Sequence, residues 1–294
     1  MTLSTNGDEE SSSLIAQARE RISPRKVILF GATGNLGGAT LTSLRADGHH
    51  VTVFVRNREK MQAAANLAEH DSLPAVTVVE GQASSTEDVE AVLRGTKFDA
   101  LVNCAGFPDE TVKSYEQARV STFHELIKTL VDAAEKHGPK RCCFIAGFGA
   151  LDVPGVDKMV FEYLPSSMGA KYMVHKANWD LMEDSNLDWT LYCPGPLVIE
   201  DPIPVEGMRL TKNTVLIDRR SAWHMLIACR LCCFFFLLKS SLPQMTVAFG
   251  DLANVIVSQI TPEGKYSRAR VGIANPIGFT RTTDKAVSPL DKKK

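Results

Sequence analysis

The sequence predicts an α/β protein with a doubly wound, mostly parallel sheet and a small C-terminal lobe. Short apolar runs alternate with segments of helical periodicity, and a glycine-rich turn joins the first run to the first helix. Strands separated by helices pair in parallel through right-handed crossovers. Such a sheet is of the Rossmann type, whose ligands bind at the carboxyl ends of the strands.

Each predicted element follows from its apolar spacing. The run Val27–Phe30 is short, wholly apolar and followed by glycine, as expected of a strand that is buried on both faces. The predicted strands are residues 27–30, 51–55, 76–79, 99–102, 142–145 and 189–192, and the predicted helices are residues 36–46, 59–69, 87–94 and 123–136. Beyond Pro194 the pattern is less regular, and we expect this part to form the small lobe over the carboxyl edge of the sheet.

The composition is that of an ordinary globular protein. Hydrophobic residues make up 44% and charged residues 23% of the 294 residues, and the formal net charge is -1. This balance provides no general attraction to nucleic acid or to an anionic membrane. The first residues lack the charged-then-apolar layout of a secretory signal, so we expect a cytoplasmic protein.

Seven cysteines in a chain of this length indicate free thiols rather than a disulfide scaffold. Cys229 and Cys232 have the spacing C-x-x-C, and His224 is nearby. A zinc site needs further ligands, and the sequence has no second C-x-x-C pair. We therefore predict no metal.

The turn after the first strand has the spacing G-x-x-G-x-x-G, formed by Gly31, Gly34 and Gly37. Gly31 allows a tight turn, Gly34 lets the backbone approach a pyrophosphate, and Gly37 allows close packing of helix and strand. The start of the helix supplies free amides and a positive dipole end. The turn therefore predicts a dinucleotide site, whose candidate contacts are Gly31, Thr33, Gly34, Asn35, Leu36 and Gly37.

The end of the second strand indicates which dinucleotide binds. Sites for NAD commonly carry an acidic residue there, whereas this chain has Arg56, Asn57 and Arg58. Guanidinium groups offer paired donors to a 2′-phosphate. We therefore predict NADP(H), bound through Arg56 and Arg58, although a solvated basic turn is the alternative.

These motifs resemble the short-chain dehydrogenase/reductase superfamily, in its atypical NmrA-like, NAD(P)H-binding branch. The likeness lies in Gly31–Gly37 with Val51–Arg58, in Leu101–Gly106, in Leu187–Pro196 and in Asp251–Ala253. The resemblance implies that Cys104, Ala105 and Gly106 pass the adenosine half of the cofactor, and that Gln82 lies beside the adenine.

The chain departs from that branch at two places. Gln82 stands where the branch often has an aspartate after the third strand. The fifth strand ends in Ala146, Gly147, Phe148 and Gly149 in place of the usual serine pair. The catalytic serine of the superfamily is therefore missing, and a carbonyl has to be polarised by backbone amides, by a tyrosine or by substrate binding.

Tyr172 and Lys176 have the Y-x-x-x-K spacing of the superfamily and are the candidate catalytic residues. Positions four apart share a face of a helix, so both heads can reach one site. A lysine beside a phenol lowers the pKa of the phenol, which can then donate a proton as hydride arrives from the nicotinamide. The resemblance also implies that Lys176 holds the nicotinamide ribose. A chance pairing on a helix is the alternative.

An apolar stretch over residues 222–238 interrupts the family pattern and includes Phe234–Phe236. Arg230 lies near its middle, and a charge there is costly in lipid. We expect a segment buried in the protein, or facing a second copy or a partner protein, rather than a membrane span. An irregular insertion is the other alternative.

The resulting domain prediction is a flexible segment over residues 1–24, one NAD(P)-binding domain with its C-terminal substrate lobe over 25–285, and a flexible tail over 286–294. The leading functional hypothesis is an NADPH-dependent oxidoreductase that reduces a small carbonyl, quinone or flavin-like acceptor. The alternative is a non-catalytic NADP(H)-binding sensor or regulator. A sugar-nucleotide epimerase fits less well, because such enzymes generally need the missing serine and a longer substrate lobe. The sequence does not name the substrate.

Overall fold

A computed structural model of the chain describes residues 23–61, 75–106, 112–164, 166–216, 242–262 and 264–282. The strands are β1 (Lys26–Phe30), β2 (His50–Val55), β3 (Val76–Glu80), β4 (Ala100–Asn103), β5 (Arg141–Ile145), β6 (Asp188–Cys193), β7 (Leu197–Val198), β8 (Arg209–Lys212), β9 (Val247–Ala248) and β10 (Ala269–Ala274). The α-helices are α1 (Asn35–Ala46), α2 (Thr86–Gly95), α3 (Tyr115–Ala118), α4 (Thr122–His137), α5 (Ser166–Asp184) and α6 (Phe249–Ser258).

Within these ranges one sheet has eight strands in the order β3-β2-β1-β4-β5-β6-β10-β8. All neighbours are parallel except β8, which runs antiparallel to β10. The strand order reverses between β1 and β4, and this switch point is where doubly wound sheets bind ligands. The predicted Rossmann-type fold is confirmed.

The continuous apolar run in β1 follows from burial on both faces of the sheet. Ile28 and Phe30 pack with residues of α2, α4 and α5, while Val27 and Leu29 pack with residues of α1 and α6. All four side chains are completely buried. Burying each of them contributes about 1.5–3 kcal/mol to folding, which fixes β1 at the centre of the sheet.

The C-terminal part extends the sheet as well as covering it. Strand β10 pairs with β6 and β8 pairs with β10, while the short β7 and β9 pair separately just after the carboxyl end of β6. Helix α6 packs against α1, where Ser43 donates a hydrogen bond of 2.8 Å to Asn254. The sequence pattern did not reveal β8 or β10, because both depend on partners distant in the chain.

Several predictions concern residues outside the described ranges. Most of the predicted helix 59–69 lies outside, although residues 58–61 are helical. The apolar stretch 222–238, with Cys229 and Cys232, also lies outside, as do residues 1–22 and 283–294. Among the helices that are described, none combines the length and apolar character needed to cross a membrane.

Asp251 is a buried structural residue at the start of α6. Its carboxylate accepts hydrogen bonds from the backbone N–H of Ile203 at 2.7 Å and of Ala248 at 2.8 Å. It also pairs with the buried guanidinium of Arg281 at 3.0 Å. The D-[VL]-A element of the resemblance thus joins α6 to the segment after β7 and to the chain after β10.

Replacing Asp251 with alanine should destabilise the fold by about 3 kcal/mol, because two backbone donors lose their acceptor and the buried Arg281 keeps only Glu200 of its two carboxylate partners. Chemical denaturation of the two proteins measures this loss. Asp132→Ala is the matched control, since the side chain of Asp132 is 49% exposed and its ion pair among the described residues is with Lys128, one helical turn away. A loss for Asp251→Ala no greater than that of the control would contradict this account.

Candidate functional site

The glycine-rich turn lies against the loop that follows β4. Gly31 has a φ of +78°, a left-handed conformation that favours glycine. A β-carbon on Gly31 would lie 2.4 Å from the backbone nitrogen of Ala105, and one on Gly37 would lie 2.0 Å from the carbonyl oxygen of Gly31. No residue except glycine fits at either position, so these glycines let the turn, the helix and the β4 loop meet.

Helix α1 begins without a side-chain cap. Gly34 is its N-cap residue, and the first turn contains no acidic residue. Helices α2 and α4, by contrast, have the N-cap residues Ser85 and Ser121. The hydroxyl of each serine accepts a hydrogen bond from a backbone N–H in the first turn of its helix. Within the described ranges, a β-carbon on Gly34 would have one heavy atom within 4 Å, the oxygen of Gly31 at 3.4 Å, so these residues leave room above the helix end. The amides of residues 35–37 therefore suit an anionic ligand.

In the glycine-rich turn and the start of α1, some side chains face solvent and others lie in the core. Thr33 and Asn35 are exposed, and Leu36 is buried in the core beside α1. Thr33 and Asn35 can therefore offer side-chain donors to a ligand, while Leu36 can contribute only its backbone amide.

The loop after β4 is held in place by its own side chains and by β1. The side-chain amide of Asn103 accepts from the N–H of Ala105 and donates to the oxygen of Ala105, both at 3.2 Å. The N–H of Cys104 donates to the oxygen of Phe30 at 3.0 Å. Burial raises the pKa of the Cys104 thiol to about 12, so it stays neutral. Gly106 is exposed beyond it.

The two arginines that were predicted to bind the 2′-phosphate differ in their hydrogen bonding. Arg58 donates a hydrogen bond of 2.7 Å to the oxygen of Val78 on β3. Arg56 is exposed and makes no hydrogen bond or ion pair with the other described residues. Arg56 is therefore available to a ligand, whereas Arg58 holds the end of β2 against β3.

Gln82 reaches the same edge of the sheet as Arg56, because β2 and β3 are neighbours with Val55 opposite Glu80. The Gln82 side chain is exposed, and its backbone N–H donates to the carboxylate of Asp88 at 2.9 Å. The missing aspartate of the resemblance is thus not replaced by Asp88, since that carboxylate binds the backbone of the loop.

Tyr172 lies on α5 against the loop after β5. Its ring makes an edge contact with Phe148, with the ring centroids 5.6 Å apart. Burial, with a smaller contribution from Cys193, raises the pKa of Tyr172 well above its usual range. The sequence argument expected Lys176 to lower this pKa, and that expectation is wrong for this geometry because burial dominates. The catalytic role of Tyr172 stays a prediction.

Lys176 contacts Asp180 and Tyr115. Its ammonium lies 2.7 Å from the Asp180 carboxylate, one helical turn further along α5, and 5.0 Å from the centre of the Tyr115 ring. Tyr115 also donates a hydrogen bond from its hydroxyl to Asp180. Burial and this carboxylate raise the pKa of Tyr115 to about 12. The structure therefore joins Lys176 to Asp180 and Tyr115.

A cavity of about 240 Å³ opens beside this cluster, and its lining includes Tyr115, Phe161, Met173 and Lys176. Of these four lining residues, Lys176 contributes an ammonium group and the others contribute two aromatic rings and a thioether side chain. Sequence reasoning missed Asp180 and Tyr115. The spacing of Lys176 and Asp180 was a usable signal, since residues four apart on a helix can pair, but nothing in the sequence places Tyr115 next to them.

The comparison with known proteins agrees with the turn and the sheet. The family described as NAD(P)H-binding matches this chain over residues 31–221, more than half of its length. The chain belongs to the NAD(P)H-binding family. The predicted resemblance to the NAD(P)H-binding branch of the short-chain dehydrogenases is confirmed at this level, and the narrower NmrA-like assignment stays a prediction.

One curated relative of this NAD(P)H-binding protein is YwnB of Bacillus subtilis, which is 29% identical over 182 residues, or 58% of this chain and 71% of YwnB. Three solved structures share the fold. A Burkholderia pseudomallei protein has a TM-score of 0.59 at 23% identity, over 85% of this chain and 99% of that one. The anaerobillin reductase ChuY of Escherichia coli O157:H7 has a TM-score of 0.57 at 17% identity, over 85% and 97%. The yeast methylglyoxal/isovaleraldehyde reductase Gre2, complexed with NADPH, has a TM-score of 0.51 at 12% identity, over 83% and 76%.

His175 is a partly buried neighbour of Tyr172 that sequence reasoning did not single out. Its ring lies edge-on to Phe123 with the centroids 5.8 Å apart, and 6.0 Å from the ring of Tyr172. Its Nδ1 atom is buried and has no hydrogen-bond partner among the described residues. Burial lowers the pKa of His175 from 6.5 to about 4, so the imidazole is neutral in the folded protein at physiological pH.

This shift makes the fold sensitive to acid. Between pH 6.5 and pH 4 the unfolded chain binds a proton at His175 that the folded chain does not, so stability is present above pH 6.5 and falls as the pH approaches 4. The full shift corresponds to about 3 kcal/mol. We expect His175→Phe to remove this part of the pH dependence in denaturation curves taken at pH 7 and pH 4. His50→Gln, at an exposed histidine, is the control. An unchanged pH dependence in His175→Phe would show that His175 is not the titrating group.

Proposed function

We propose that the protein is an NADPH-dependent oxidoreductase that reduces a small carbonyl, quinone or flavin-like acceptor. The observation that carries this proposal is the uncapped start of α1 at the switch point of the sheet, with Tyr172 of α5 packed against the loop after β5. Family membership supplies the nicotinamide cofactor class. The choice of NADPH and the reduction of an acceptor are our inferences.

The residues at the switch point fit a dinucleotide. The amides of residues 35–37 and the exposed side chains of Thr33 and Asn35 would hold the pyrophosphate. Gly31 and Gly37 keep β-carbons out of the turn, so the backbone can approach a ligand closely. Ala105 and Gly106, on the loop fixed by Asn103, would lie beside the adenosine half.

The preference for NADPH rests on the basic end of β2. Arg56 is exposed and available, Gln82 lies at the same edge, and the described part of this edge carries no acid in the position that selects NAD. Arg58 contributes positive charge there although its guanidinium also binds Val78. The NADPH complex of Gre2, which shares the fold, is compatible with this assignment.

Changing Arg56 to aspartate should weaken NADPH binding by about 1–3 kcal/mol and leave NADH binding unchanged or slightly stronger, because a paired donor to the 2′-phosphate becomes an acidic side chain. Calorimetric titration of both cofactors into both proteins measures the change. Arg94→Asp is the matched control, since Arg94 is an exposed arginine on α2 with only a long contact of 3.5 Å to Glu90. Equal affinity of the unmodified protein for NADPH and NADH would remove the basis of the assignment.

In the proposed reaction Tyr172 is the proton donor. The bound nicotinamide supplies the hydride. The Tyr172 phenol is protonated at neutral pH, so it can donate a hydrogen bond, and then a proton, to an acceptor oxygen. Burial raises its pKa and makes it a weaker acid, so the proposal depends on the position of the phenol. The missing serine leaves this phenol and the nearby backbone amides to polarise the acceptor. The neighbouring aromatic side chains Phe148 and His175 exclude water from the ring of Tyr172.

Tyr172→Phe should lower turnover by about 10²–10⁴-fold with an accepted substrate, while the Kd for NADPH stays within about twofold, because only the proton donor is lost. The substrate is found first by following NADPH oxidation across carbonyls, quinones and flavins. Tyr266→Phe is the matched control, at a buried tyrosine before β10 on the opposite edge of the sheet. An unchanged turnover number would remove Tyr172 from the mechanism.

One observation favours the alternative, a non-catalytic NADP(H) sensor. Lys176 is engaged by Asp180 and Tyr115, so the cation that activates the tyrosine in the superfamily is held elsewhere. A sensor needs cofactor binding but no activated acid. NADPH binding by calorimetry, together with no NADPH oxidation across the whole acceptor panel, would favour this second function.

A further inference from the structure

The ring of Tyr172 lies directly on the backbone of two glycines. A β-carbon on Gly147 would be 2.8 Å from Cε1 of Tyr172, and one on Gly149 would be 2.4 Å from both Cδ1 and Cγ. Separations below about 3 Å are well inside ordinary carbon–carbon contact. With the ring in this position, neither residue can carry a side chain.

The backbone itself does not demand glycine here. Gly147 has a φ of -135° and a ψ of 160°, an extended conformation that any residue adopts. Neither Gly147 nor Gly149 is among the glycines with positive φ. The tyrosine ring is therefore what excludes a side chain at the two positions.

The loop cannot easily move away to relieve such a clash. Its backbone is tied to the chain around β6, because Ala146 donates to the oxygen of Tyr192 at 2.7 Å and Phe148 donates to the oxygen of Pro194 at 2.9 Å. A third bond of 2.9 Å joins Ala150 to Gly147 across the turn. A side chain added at either glycine would therefore displace the ring of Tyr172 rather than the loop.

Two further side chains lie against the Tyr172 ring. Phe148 contacts it edge-on with the centroids 5.6 Å apart, and the His175 ring lies 6.0 Å away. The position of the ring is thus limited by the glycine backbone and by these two side chains.

We propose that Gly147 and Gly149 are positioning residues that hold Tyr172 as the proton donor, and that a serine at either position is incompatible with this placement. The absence of the superfamily's serine and the position of the Tyr172 ring then have a common structural reason. The ring occupies the volume that a serine side chain at Gly147 or Gly149 would fill. This inference rests on the proposed oxidoreductase function.

The first test compares Gly147→Ser and Gly149→Ala with the unmodified protein. We expect kcat to fall by about 10–100-fold with little change in the Kd for NADPH, because a displacement near 1 Å is enough to cost such a factor. Gly147→Ser should lower the rate although it restores the residue type of the superfamily. Gly95→Ala is the control, since a β-carbon there has nothing within 4 Å.

A double-variant comparison separates positioning from general damage. In the Tyr172→Phe background, Gly149→Ala should produce no further loss of kcat, because the proton donor that the glycine positions is already absent. Equal losses in the two backgrounds, or a kcat within twofold of the unmodified protein in both glycine variants, would overturn the proposal. If Tyr172→Phe alone has no effect on kcat, Tyr172 is not the proton donor, and the packing claim is judged by the following measurements. If no acceptor is reduced at all, the proposed function fails.

Two measurements do not depend on activity. Nitration with tetranitromethane followed by peptide mapping should modify Tyr172 at least tenfold faster in Gly149→Ala, because the displaced ring meets solvent and its pKa returns towards the usual value. The loss of melting temperature caused by Gly149→Ala should disappear in a Tyr172→Ala background, where the Cγ and Cδ atoms that meet the added β-carbon are gone. This holds even when Gly149→Ala alone does not fold, since the double variant should then fold. Unchanged nitration, or equal destabilisation in both backgrounds, contradicts the proposal.

Discussion

The candidate site depends on the close approach of the turn after β1 to the loop after β4. Gly31 and Ala105 come so near each other that a single β-carbon between them would clash. This contact exists because β1 and β4 are neighbours in the sheet, at the point where the strand order reverses. The turn, the start of α1 and the β4 loop are therefore fixed relative to one another by the central strands, before any ligand binds.

Burial determines the protonation states of Tyr172 and His175. Tyr172 and His175 lie among aromatic side chains, where a charged phenolate or imidazolium is poorly solvated, so both groups are neutral at physiological pH. The nearby ammonium of Lys176 is balanced by Asp180. Any proton that this neutral phenol donates therefore depends on where the ring is held more than on activation by charge.

Much of the sheet could be predicted from the sequence. The apolar run of β1, the glycine turn and the helix after it are local patterns, and the structure confirms them within a residue or two at their ends. Strands β8 and β10 were not predicted, because each is stabilised by a partner far away in the chain. Arg58 illustrates the same limit within the site, since its bond to Val78 depends on β2 and β3 being neighbours.

The sequence alone determined the fold class, the position of the glycine-rich turn and the basic end of β2, because glycine spacing and apolar periodicity act over a few residues. Only the tertiary structure decided what surrounds Tyr172 and Lys176. Their spacing of four predicts a shared helix face but not the neighbours of that face. Packing placed Gly147 and Gly149 under the tyrosine ring and brought Tyr115 to the lysine. Whether the tyrosine pKa falls or rises is set by such distant neighbours, because solvation and charge act through space rather than along the chain.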